Sequence, residues 1–88
     1  MPYINRGARK LLSEVATGNV VPETAGQLSY LVTLLLDEYI CHHGKDYAVL
    51  NQVIGVLECA KLELYRRILA PYEDKKCQEN GDVYSGVS

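Results

Sequence analysis

Two arginines, two tyrosines and two lysines fall within the twelve residues Y-R-R-I-L-A-P-Y-E-D-K-K, positions 65–76. Guanidinium forks bind phosphate oxygens, and tyrosine rings stack on nucleobases. The segment carries four cations against two acids, a local charge of +2 in a chain whose formal net charge is −2. A helix start after Pro71 would add backbone N–H groups aimed at an anion. The candidate ligand contacts in this stretch are Tyr65, Arg66, Arg67, Tyr72, Lys75 and Lys76. The competing reading is a solvated, salt-bridged helix end.

Asn51, Glu58, Tyr65 and Tyr72 recur every seven residues. On a helix the first three project along one line, beside Tyr47, Leu62 and Leu69. Polar groups among apolar neighbours must be paired if buried. Asn51 and Glu58 therefore read either as a register-setting polar seam between helices or as the hydrogen-bonding floor of a pocket.

Other chemistries find less support. Ser13, Ser29 and Ser85 lack a Gly-rich nucleophile elbow. His42 and His43 are adjacent, so they diverge by about 100° on a helix and match no metal-ligand spacing. Glu58 and Glu63 could serve a metal-dependent nucleotide hydrolase, but paired E-x-x-E and E-x-x-D spacing is absent. Glu63 also stands at ion-pair distance along a helix from Arg66 and Arg67. No cofactor is implied.

Four helices must position these residues. Residues 5–17 form the first, capped by Asn5 and ended by Gly18 and Asn19. Arg6, Arg9 and Lys10 crowd its start, as a solvated face or an anion-facing edge. Thr24 and Gln27 make a capping box for a second helix that runs to about His43, stopped by Gly44. Its wide apolar stripe is Leu28, Leu31, Val32, Leu35, Leu36 and Tyr39. Tyr30, Leu34 and Cys41 form another on the far side. Two apolar faces require two partners, one intramolecular and one a neighbouring subunit.

Asp46 caps a third helix reaching about Leu69, where Pro71 breaks it. Its expected core face is Val49, Leu50, Val53, Ile54, Leu57, Ala60, Leu64 and Ile68. Gly55 interrupts the helix at a cost of about 1 kcal/mol, which suggests a close helix crossing. A short fourth helix begins at Pro71 with Glu73 and Asp74 in its first turn. The polar residues 81–88 read as a tail or an arm lying on a neighbour. The expected architecture is an all-α helical hairpin or small bundle in a single domain, residues 1–80, that forms homo-oligomers.

The bulk numbers agree with a small globular domain. The chain has 88 residues, 48% hydrophobic and 23% charged. Its seven tyrosines, with neither Phe nor Trp, suit half-buried interfaces better than deep cores. The net negative charge argues against binding of duplex DNA. Three cysteines without C-x-x-C spacing suggest a reducing cytoplasm. Neither a signal peptide nor a membrane-spanning run is expected.

The motifs M-P-Y-I, L-S-Y-L-V-T, L-N-Q-V-I-G-V-L-E-C-A-K-L-E-L-Y-R-R, A-P-Y-E-D-K-K and E-N-G-D-V-Y span nearly the whole chain. With them the chain resembles a family of small helical proteins encoded by phages and prophages. That resemblance carries no catalytic residues over. It implies a setting, the host cytoplasm, in which small oligomeric proteins sequester nucleotide signals of host immunity. The expected function is such non-catalytic capture of a small anionic nucleotide at a subunit interface. The alternatives are a module that docks on a host protein and the hydrolase built on Glu58 and Glu63.

Overall fold

The computed structural model describes residues 2–16 and 20–86. It is all-α, and no strand occurs among the described residues. The helices are α1 (Arg6–Ala16), α2 (Ala25–His43), α3 (Tyr47–Leu64) and α4 (Ala70–Asn80), with a π-helical turn, Tyr65–Leu69, between α3 and α4. The chain divides into two compact units, residues 1–56 and 57–88.

Local sequence chemistry sets the helix starts. Asn5 caps α1 by accepting the Ala8 N–H on its Oδ1 at 2.8 Å. Arg9 is drawn inward along the chain, its Nε donating to the Ile4 carbonyl at 2.7 Å and its guanidinium 5.9 Å from the Tyr3 ring centroid. One member of the basic trio thus anchors its own N-terminal segment. The expected stop at Gly18 and Asn19 lies outside the described residues.

Thr24 caps α2 through its Oγ1, which accepts the Gln27 N–H at 3.1 Å. The Gln27 side chain reaches one residue beyond a standard capping box and accepts the Glu23 N–H at 2.8 Å. Gly44 closes α2 with φ 104°, a left-handed value that favours glycine, and its N–H donates to the Ile40 carbonyl at 2.8 Å. Asp46 caps α3, accepting the Val49 N–H at 3.0 Å. Gly81 ends α4 in the same way as Gly44, with φ 85°.

Burial differs sharply from the periodic pattern. Val49 and Val53 are the buried residues of α3, one helical turn apart. The rest of the expected core face is open: Leu50, Ile54, Leu57, Leu64 and Ile68 are all exposed. Periodicity places apolar residues on one line, but burial needs a second surface to cover that line. Gly55 shows the same deficit, because a Cβ built there would meet nothing within 4 Å. The close crossing expected at Gly55 is not made among the described residues. In the first unit, α2 and α3 are joined by the Tyr39 hydroxyl, which donates to Gln52 Oε1 at 2.9 Å. Both apolar stripes of α2 face solvent, with only Leu36 and Ile40 half-buried.

The expected break at Pro71 does not occur. Residues 47–80 are helical throughout, and Leu69 and Ala70 keep right-handed helical backbone angles. The ladder widens instead: the Ala70 N–H donates to the Tyr65 carbonyl, five residues back. Proline has no N–H to donate, and its ring crowds the carbonyl four residues earlier. A wider turn gives that carbonyl room, so the strain is absorbed without ending the helix. Pro71 and Glu73 then follow in the first turn of α4, but because the helix is continuous there, the free N–H groups expected after Pro71 for an anion are not formed.

Candidate ligand-binding groove

The groove belongs entirely to the second unit. Lys61, Leu62, Leu64, Tyr65, Ile68, Leu69 and Tyr72 line a cavity of about 660 Å³. Its wall is almost wholly apolar, so Lys61, Tyr65 and Tyr72 line it with the carbon surface of their side chains. The π turn helps to build it. Lys61 lies one α-helical turn before Tyr65, and Leu69 lies about one wide turn after it. The extra residue in that turn rotates α4 by roughly the angle of one residue, about 100°. Tyr72 is thereby moved off the strict seven-residue line and beside Ile68 and Leu64.

Two of the eight residues singled out from sequence, Tyr65 and Tyr72, border this cavity together. Lys76 stands close by, its Nζ 5.6 Å from the Tyr72 ring centroid and 3.4 Å from Glu79. Arg66 and Arg67 follow Tyr65 directly, so they turn away from its line by about 100° and 200° in an ordinary helix. Arg66 reaches back to Glu63, with its Nη2 3.2 Å and 3.4 Å from the two carboxylate oxygens. Arg67 and Lys75 are exposed and make no ion pair among the described residues.

Glu58 pairs with Lys61 at 3.3 Å. Glu58 does not line the cavity; its ion pair engages the ammonium of Lys61, a residue that does. Glu58 is more than half exposed and Glu63 is mostly covered, but Lys61 and Arg66 are both open to solvent, so these pairs add little stability. Asn51 lies in the first unit, on exposed α3 surface, and is described apart from the groove. The groove residues that sequence reasoning missed are Lys61 and the aliphatic wall. Leu64 and Ile68 had been assigned to a core. The available signal was the one-turn spacing of Lys61 before Tyr65.

Glu58 and Glu63, the acids a hydrolase would need, are each committed to a neighbouring cation. Among the described residues no group of three His, Cys, Asp or Glu side chains is placed to hold a metal ion. Cys41, Cys59 and Cys77 are free thiols at the surface. No helix among the described residues is long and apolar enough to cross a membrane.

No curated protein and no solved structure matches the chain. A family model does, over residues 1–83, nearly the full length. The chain belongs to the family described as Domain of unknown function (DUF6899).

Proposed function

We propose that the protein is a non-catalytic capture protein, and that the Lys61–Tyr72 groove takes up a small anionic nucleotide. One observation carries this reading: Tyr65 and Tyr72 border a single cavity of about 660 Å³ with Lys61 at its edge. That volume lies within the roughly 300–1,000 Å³ of small-molecule sites. A nucleobase offers a flat π face to either phenol ring, and such stacking contributes about 1–3 kcal/mol per base. The aliphatic wall suits the remaining edge of the base and sugar. Phosphates would extend toward Lys61, Lys76 and the exposed cations Arg67 and Lys75. Arg66 can join them by exchanging its weak surface pair with Glu63. Holding a signal intact is then sufficient for function, by analogy with small phage proteins that sequester nucleotide signals.

The test is thermal shift against a panel of linear and cyclic nucleotides, with and without Mg²⁺. A bound ligand raises the melting temperature by mass action. The expected result is a Mg²⁺-independent rise, with the nucleotide recovered unchanged by chromatography. Arg66→Ala combined with Arg67→Ala should weaken binding about tenfold. No shift with any nucleotide overturns the reading, and nucleotide consumption replaces it with an enzyme.

A second reading rests on the composition of the wall. Leu62, Leu64, Ile68 and Leu69 present an aliphatic strip that would also accept the apolar face of a helix from a host protein. Salt separates the two. Capture of an anion weakens as ionic strength rises, whereas burial of an aliphatic helix persists.

A further inference from the structure

The groove leaves a second feature unexplained, one edge of α2. Ala25, Leu28, Val32, Leu35, Tyr39 and His42 succeed one another at intervals of 3, 4, 3, 4 and 3 residues. That is the heptad spacing of helices that pack knobs into holes. Leu28 is 54% exposed and Leu35 is 62% exposed, with Val32 and the ring of Tyr39 also open, while the Tyr39 hydroxyl is turned to Gln52 of α3. Leu36 and Ile40, the half-buried residues of α2, lie to one side of this edge.

We propose that α2 pairs with α2 of a second copy of this chain, as a parallel, in-register two-helix seam. This spacing is that of an amphipathic helix face, and a helix of the same periodicity is the occupant that meets it knob for knob. Side-chain shape selects the arrangement. With Ala25, Val32 and Tyr39 at the a positions, Leu28, Leu35 and His42 fall at d. Among parallel coiled coils, a β-branched residue at a with leucine at d, as Val32 with Leu28 and Leu35, favours two strands over three or four. The flanks agree. Parallel pairing sets the g residue Glu38 beside the partner's His43 at e, an acid facing a hydrogen-bond donor. Antiparallel pairing would set Glu38 against the g residues Leu31 or Glu38 instead.

The need for a constant partner follows from burial. Val49 and Val53 are the buried hydrophobic residues among those described, and small domains with so thin a core depend on association. A second copy is the partner present wherever the chain is made.

Sedimentation equilibrium of the full chain tests the seam. A dimer of the 9.8 kDa chain is expected. Leu35→Glu should weaken it by about 100-fold or more, because each new carboxylate would be buried unpaired. Tyr30→Glu, on the far side of α2, should leave it intact. Orientation is read by disulfide formation after Cys41, Cys59 and Cys77 are replaced by serine. Leu28→Cys should then cross-link between copies on mild oxidation, and Tyr30→Cys should not. This readout does not require Leu35→Glu to remain folded. A monomer, a larger assembly, a dimer indifferent to Leu35→Glu, or cross-linking favoured at position 30 overturns the proposal. Failure here leaves the groove reading intact, because nucleotide binding is measured separately.

Discussion

The two units of the chain leave apolar surface open in different ways. In the first, α2 offers an edge of regularly spaced exposed side chains. In the second, the π turn and its flanking helices offer a cavity bordered by two tyrosines and a lysine. A regular edge is complementary to another regular edge. A cavity with aromatic rings and a cation is complementary to something flat and charged. Similar hydrophobic content thus implies different occupants, and backbone geometry makes the difference.

The contrast breaks most readily at the tyrosines. Replacing both Tyr65 and Tyr72 with alanine should cost about 1–3 kcal/mol of nucleotide affinity per ring, a loss of about five- to 150-fold for each. Calorimetric titration would measure it, with an unchanged oligomeric state as the control. An equal loss of assembly would mean that the groove and the α2 edge are not separate surfaces.

Val53→Ala removes two buried methyl groups and should lower stability by about 2 kcal/mol in denaturant melts. Ile54→Ala, one position along but 64% exposed, should cost less than about 1 kcal/mol. Comparable losses would indicate that Ile54 is covered in the assembled protein.

Pro71→Ala restores a backbone donor and removes the ring that crowds the preceding turn. Helix stability should rise by about 1 kcal/mol, while ligand affinity falls because Tyr72 rotates away from Tyr65. Paired melting and titration experiments would show whether stability and binding move in opposite directions. Undiminished affinity would show that the wide turn is incidental to the groove. The smallest effect belongs to Arg66→Ala, whose pair with Glu63 is at the surface. It should change stability by less than about 1 kcal/mol.

The helix starts were legible in the sequence because capping is local. Asn5, Thr24 and Asp46 each bond within three residues, and Gly44 needs only its own backbone freedom. The core was less legible. The line through Val49, Val53, Ile54 and Ile68 has the right periodicity, but periodicity does not say whether another surface covers it. Pro71 was ambiguous for a different reason. It removes a donor from a helix whether the chain breaks or widens, and the choice depends on the energy of the whole turn. The tyrosine pair stood out by composition. Lys61 and the aliphatic wall did not, because their grouping with Tyr72 depends on the extra residue in the π turn.

That extra residue acts as a phase shifter. It lengthens the helix by only about 1.5 Å, yet it re-aims everything after it by roughly a quarter turn. Deleting one residue within Tyr65–Leu69 would let the turn close into an ordinary α-turn with Tyr72 still on its present face, whereas a regular α-helix through the unshortened sequence would carry Tyr72 about 100° away. Substitution can vary what the groove contacts, but the groove itself rests on the match between residue count and the width of one turn.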